Sequence, residues 1–115
     1  MPKVFIINDS GHDFTPAEEF GELVIMTEGY INKYAVTAMV RAFKPFIDQS
    51  SPNDIILQTG PQVMNNIACA MFAAKHGCLN LLIWRALPNE EARYVLRKLS
   101  FNRRRNKNVR RKGSD

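Results

Sequence analysis

The stretch Ile55-Ile56-Leu57-Gln58-Thr59-Gly60-Pro61 constrains this chain more than any other, because it feeds an almost wholly apolar segment that ends at Gly77. A short apolar run without polar alternation reads as a strand buried on both faces. Thr59 reads as the N-cap of the helix that follows. Gly60 permits a tight turn, and Pro61 fits the first helical position, where a missing N–H costs nothing. A buried strand that delivers the chain onto a helix N-terminus is also a common way to bind a phosphate or other anion.

Three more apolar runs frame this one. Val4-Phe5-Ile6-Ile7 is continuous and β-prone, Leu23-Val24-Ile25-Met26 is the second strand, and Leu79 to Trp84 is the fourth, with Arg85 at its end. Between them lie helical stretches. Thr15-Pro16-Ala17-Glu18 carries a capping-box pattern for a short helix stopped by Gly21. Val36, Met39, Val40, Phe43, Phe46 and Ile47 recur at the spacing of one buried helical face, and Pro45 predicts a kink or a broken last turn. Asp48 to Asp54 is a loop of turn formers. The helix after Pro61 is apolar on two sides, which suggests double cover or a subunit contact, with Gly77 as its αL terminus and Lys75 and His76 set against the dipole. Beyond Pro88, the spacing of Ala92, Val95, Leu96 and Leu99 predicts a last helix.

Alternation of strand and helix implies an α/β fold with a mainly parallel sheet. The expected architecture is a small Rossmann-like three-layer fold, four strands in the order 2-1-3-4 with helices on both faces. Residues 1–101 make a single domain, and 102–115 are a basic, flexible tail. Ligands of such sheets bind beyond the carboxyl ends of the strands, where the strand order reverses. That rule gathers Asp9, Ser10, His12 and Asp13 after strand one with Thr59, Gly60 and Gln62 after strand three. Thr27, Glu28 and Arg85 fall further out on the same edge.

Charge is divided unevenly. Met1 to Ala92 holds six Lys/Arg and ten Asp/Glu, net −4, whereas Arg93 to Asp115 holds ten Lys/Arg and one acid, net +9. Arg103, Arg104, Arg105, Lys107, Arg110, Arg111 and Lys112 are seven cations in ten residues, interleaved with asparagines. Such a segment can neutralise several phosphates and order on RNA or DNA. Only Phe101 is at hand for stacking, so sequence-specific reading of a single strand is not expected of the tail.

Several classes of chemistry are excluded or demoted. No dinucleotide fingerprint follows the first strand, and no phosphate-binding loop with Gly-Lys-Ser/Thr occurs. A receiver domain needs an Asp at the end of its third strand, where this chain has Gln58-Thr59-Gly60. Asp9, His12, Asp13 and Glu28 offer oxygen and imidazole groups for a metal-dependent hydrolase of nucleotides or nucleic acid, His12 serving as the general base in one version. Loops supply all four, however, the first strand lacks an Asp-x-Asp pair and the ends of strands three and four supply no further acid, so binding is favoured over catalysis and no resident metal or cofactor is assigned. Cys69 and Cys78 lack the spacing of a zinc site and read as buried free thiols. No apolar run reaches the roughly 18 residues of a membrane span, and the N-terminus reads as a strand rather than a signal peptide, so a cytoplasmic protein is expected.

The run Val4 to Asp13, then Phe20-Gly21, Thr27-Glu28-Gly29, Val63-Met64-Asn65 through His76-Gly77 and Leu79 to Leu82 resembles small uncharacterised α/β proteins of tailed bacteriophages. The resemblance covers roughly residues 3 to 85 and leaves out the basic tail. It implies a phage setting, with the host cytoplasm as location, and transfers no catalytic residue. Together these readings give a phage-type, non-enzymatic binding protein: a nucleotide- or phosphate-binding fold whose Arg-rich tail contacts nucleic acid. The alternatives are the hydrolase and a host-protein-interaction protein that docks through the apolar helix Val63 to Ala74 or through the tail; a homodimer is compatible with either.

Overall fold

The computed structural model describes residues 1–101, so the tail cations Arg103, Arg104, Arg105, Lys107, Arg110, Arg111 and Lys112 lie outside the described residues. Five strands form one sheet: β1 (Lys3–Ile6), β2 (Glu22–Ile25), β3 (Ile55–Leu57), β4 (Cys78–Leu87) and β5 (Glu90–Ser100). A 3-10 helix, Thr15–Phe20, joins β1 to β2; α1 (Val36–Asp48) joins β2 to β3, and α2 (Gln62–His76) joins β3 to β4. The sheet order is β2-β1-β3-β4-β5, with β1 to β4 parallel and β5 antiparallel to β4. The α/β class thus holds, while the four-strand sheet expected from the sequence is extended by a fifth strand.

That fifth strand occupies the segment expected to be the last helix. Spacing of Ala92, Val95, Leu96 and Leu99 suits a helical face, but Ala92, Tyr94 and Leu96 also sit on a period of two. Pro88 and Asn89 make a two-residue link between Leu87 and Glu90, and the hairpin runs in register from Cys78 opposite Ser100 to Arg85 opposite Arg93. The open edge of β4 needs backbone partners, and a hairpin supplies them locally, so tertiary pairing overrides helical spacing.

Crossover handedness explains where the helices lie. β1 to β2 moves one way across the sheet, whereas β2 to β3 and β3 to β4 move the other way; right-handed crossovers then put α1 and α2 on one face and the 3-10 helix on the opposite face. The core divides accordingly. Phe5, Ile7 and Ile56 meet Met39, Phe43 and Ile47 of α1 and Met64, Ala68 and Phe72 of α2. On the other face, Val4, Ile6, Ile55, Leu57 and Leu82 meet Phe14, Ala17 and the partly buried Phe20, Leu23, Tyr94 and Leu96. The expected helices on both faces are therefore corrected: both α-helices share a face, and six residues of 3-10 helix cover the other.

The two helices are tied at their C-terminal ends. Lys75 Nζ donates to the carbonyls of Ile47 and Ser50 at 2.9 and 3.4 Å, setting a cation from α2 against the C-terminal end of α1. Ser50 Oγ donates to Ile47 O at 2.6 Å and lies 2.8 Å from His76 Nε2. His76 caps no carbonyl of its own helix; its ring rests on Phe72, with centroids 4.5 Å apart.

Other expectations change in detail. α1 runs through Pro45 to Asp48, and its buried stripe is Met39, Phe43 and Ile47, while Val36 and Val40 are exposed. The large apolar side chains of α2 lie in the core or pack partly buried against it, and Gln62, Asn66, Ala70, Ala74 and Lys75 are its exposed positions. Cys69 and Cys78 are free and half-buried rather than buried, and burial raises the Cys69 thiol above its ordinary value. Among the described residues, no helix is long and apolar enough to cross a membrane.

Candidate functional site

Strand order reverses between β1 and β3, since the chain leaves β1 toward β2 and leaves β3 toward β4. At their carboxyl ends the loops are locked together. Asp9 forms an isolated parallel bridge with Glu28, Asp9 N–H donating to Thr27 O at 2.9 Å and Gly29 N–H to Asp9 O at 3.0 Å. Beneath this bridge Asn8 is buried; its Nδ2 donates to Gly29 O at 3.2 Å and its Oδ1 accepts from Thr27 Oγ1 at 2.8 Å. The Thr27 hydroxyl also lies 2.7 Å from Ile7 O. Thr27 and Asp9 are thus absorbed by the scaffold, and Asp9 Oδ1 additionally accepts from Gly11 N–H at 2.9 Å.

The β3–α2 turn presses against the same asparagine. Gly60 has φ +86, and a Cβ on it would stand 2.9 Å from Asn8 Cβ, so both backbone conformation and space require glycine here. Asn65, itself buried, braces the turn from below. Its Oδ1 accepts from Thr59 N–H at 3.0 Å, and its Nδ2 donates to the carbonyls of Thr59 and Pro61 at 3.2 and 3.0 Å. Pro61, not Thr59, occupies the N-cap, and α2 begins at Gln62 without a side-chain cap.

Beside this braced turn lies a cleft of about 410 Å³. Leu57 forms its floor, Gln58 and Thr59 one wall, His12, Asp13 and Phe14 a second, and Trp84 and Tyr94 a third. Cross-strand neighbours Trp84 and Tyr94 meet edge-to-face at 4.8 Å, and His12 meets Phe14 in the same manner at 6.1 Å. Asp13 accepts from Thr15 N–H at 3.0 Å, which opens the 3-10 helix; hydrogen bonds from the Thr15 side chain and backbone hold its carboxyl below the usual value. The capping role expected of Thr15 therefore belongs to Asp13. Burial, then the charge of Asp13, pushes the Tyr94 phenol up, which keeps its O–H as a donor in neutral solution.

The expected site residues are thus divided. His12, Asp13 and Thr59 line the cleft. A shallow depression shared by Gln58, Thr59, Gly60 and Gln62 adjoins it. Ser10 and Gly60 face a separate groove with Asn8, Tyr30, Lys33 and Tyr34. Glu28 stays at the bridge. Arg85 is not at a strand end but within β4, opposite Arg93 and outside the cleft. Among the described residues, no three of His, Cys, Asp and Glu come together to hold a metal ion, Asp9, His12, Asp13 and Glu28 included. Missed by the sequence were Asn8, Phe14, Leu57, Gln58, Asn65, Trp84 and Tyr94. Gln58 and Trp84 end apolar runs and could have been found by that position; Tyr94 enters only through the hairpin register.

No curated protein and no solved structure matches this chain. A family model does, over residues 2–101, described as Phage Pam3 gp32-like protein. With that match spanning every element from β1 to β5, the chain belongs to the Phage Pam3 gp32-like family.

Proposed function

We propose that this phage protein is a non-enzymatic nucleotide-binding protein, in which the cleft between the β1 loop and the hairpin takes a nucleobase. The observation that carries this reading is the cleft's composition: an aromatic wall of Trp84 and Tyr94, a second aromatic at Phe14, and Gln58 and Thr59 at the rim. Flat aromatic walls with a few polar groups suit a planar heterocycle, which stacks on the rings while an amide and a hydroxyl meet its edge. Thr59 also borders the depression at Gly60 and Gln62, where the first N–H groups of α2 suit a phosphate next to the base. Arg103, Arg104, Arg105, Lys107, Arg110, Arg111 and Lys112 complete the proposal as a separate contact to RNA or DNA.

Trp84 is the single tryptophan of the chain, so its emission reports on the cleft directly. Saturable quenching by nucleoside mono- or triphosphates, confirmed by calorimetry, supports the reading. Unchanged emission and no heat up to millimolar nucleotide sinks it. For the tail, deletion of 102–115 should abolish salt-dependent binding of RNA or DNA and leave nucleotide quenching intact; nucleic-acid binding that survives the deletion removes the tail from the proposal.

A further inference from the structure

The two edges of the sheet differ greatly. β2 exposes four residues, Glu22 to Ile25, whereas β5 exposes eleven, Glu90 to Ser100, with no strand on its outer side among the described residues. A long open edge is a template for another strand. The charges along it are also ordered: two acids at one end, Glu90 and Glu91, and two bases at the other, Arg97 and Lys98, with Arg93 between them. Within the hairpin these bases find no acid, since Arg97 stands opposite Leu81 and Lys98 opposite Asn80. Among the described residues the one ion pair is Lys44–Asp48, far from this edge in sequence.

We infer that β5 pairs antiparallel with β5 of a second copy about a two-fold axis at Tyr94. An isologous contact requires residue i to meet j while j meets i. With the axis at Tyr94, Glu90 falls opposite Lys98, Glu91 opposite Arg97 and Ala92 opposite Leu96. Residues directly opposite in an antiparallel pair share a face with Cβ atoms about 4.5–5.5 Å apart, so all four acid–base pairs of the dimer are in reach. Shifting the axis by one residue, to Val95, puts Glu90 opposite Ser100 and Glu91 opposite Leu99 and sets Arg93 against Arg97, which loses all four pairs. Charge therefore selects both the partner, a second copy of this chain, and the register. Two five-stranded sheets become one, with the two Tyr94 side chains adjacent and the two clefts on one face. This inference is independent of what the clefts bind.

A charge-swap experiment decides it. The wild-type protein should sediment at twice its 13.1 kDa mass. E90K/E91K and R97E/K98E should each be monomers, because every cross-strand pair in each homodimer becomes repulsive. Their equimolar mixture should recover the dimer, since all four pairs are attractive in the mixed species. A second measurement needs no variant. A zero-length carbodiimide should couple Glu90 to Lys98 in mixed ¹⁴N/¹⁵N protein with both labels in one linked peptide. Eight residues along one strand span about 26 Å, so this link cannot form within one chain. A wild-type monomer at millimolar concentration overturns the proposal. So does a dimer indifferent to the swaps, a mixture that stays monomeric with both variants folded by circular dichroism, or absence of the Glu90–Lys98 link.

Discussion

The parallel half of the sheet and the β4–β5 hairpin are built on opposite terms. β1 and β3 are four and three residues long, and each apolar residue of theirs is buried on one face or the other. The hairpin strands are ten and eleven residues long and overhang that core, leaving Ile83, Trp84 and Leu99 38%, 51% and 46% exposed. Stability is thus concentrated in a few short strands under α1 and α2, while the overhang keeps large side chains free for contacts outside the core.

Replacing a core residue is the most severe way to probe that division. Phe72→Ala should lower unfolding free energy by about 3–5 kcal/mol, read from urea denaturation, because Phe72 is fully buried between the sheet and His76. A loss below about 1 kcal/mol would show that α2 contributes little to the core. Next come the glycines of the site edge. Gly60→Ala meets both a positive φ and Asn8 Cβ, whereas Gly29→Ala meets a positive φ and open space. Each bears about 1–2 kcal/mol of backbone strain, and Gly60→Ala should cost more than that in the same denaturation series. Equal costs would mean that Asn8 shifts without penalty.

Acidification comes third. Burial first, then the Lys75 charge, depresses the His76 imidazole below its ordinary 6.5. The unfolded chain then binds more protons than the folded one, so stability is full above about pH 6.5 and declines below it, down to the folded value. Melting temperature should fall from pH 7 to pH 5 more steeply in wild type than in His76→Gln; parallel curves would reject the assignment. The smallest stability change belongs to the overhang. Trp84→Ala should leave unfolding free energy within about 1 kcal/mol of wild type and weaken nucleotide binding by about 10–100-fold, the range of one lost stacking contact. A Trp84→Ala protein that loses several kcal/mol would assign the hairpin to the core and erase the contrast.

The same division governs what could be read from the chain. Ile55 to Leu57 and Val4 to Ile7 are legible because a strand covered on both faces tolerates no polar residue, and Gly60 was legible as a turn. Glu90 to Ser100 was not: half-exposed residues such as Val95 and Leu96 satisfy helical and strand spacing at once, and the choice is made by the open edge of β4. The cleft inherits that ambiguity. Its β1 and β3 side, His12, Asp13 and Thr59, follows from the rule for reversed strand order, but its Trp84–Tyr94 wall needs the hairpin register. Asn8 and Asn65 read as ordinary polar residues; their buried amides matter only once three loops converge on them. Arg85 misled because a strand that continues to Leu87 was read as ending at Trp84.

Because β5 runs back down the sheet, the chain reaches Phe101 at the edge away from the cleft, with Phe101 N–H bonded to Gly77 O at 2.7 Å. Seven residues of strand, about 23 Å, separate Tyr94 of the cleft from Phe101. Under the proposed function a mononucleotide reaches the cleft alone, whereas a polymer can also meet the cations that follow Phe101 in sequence, so affinity should rise with oligonucleotide length.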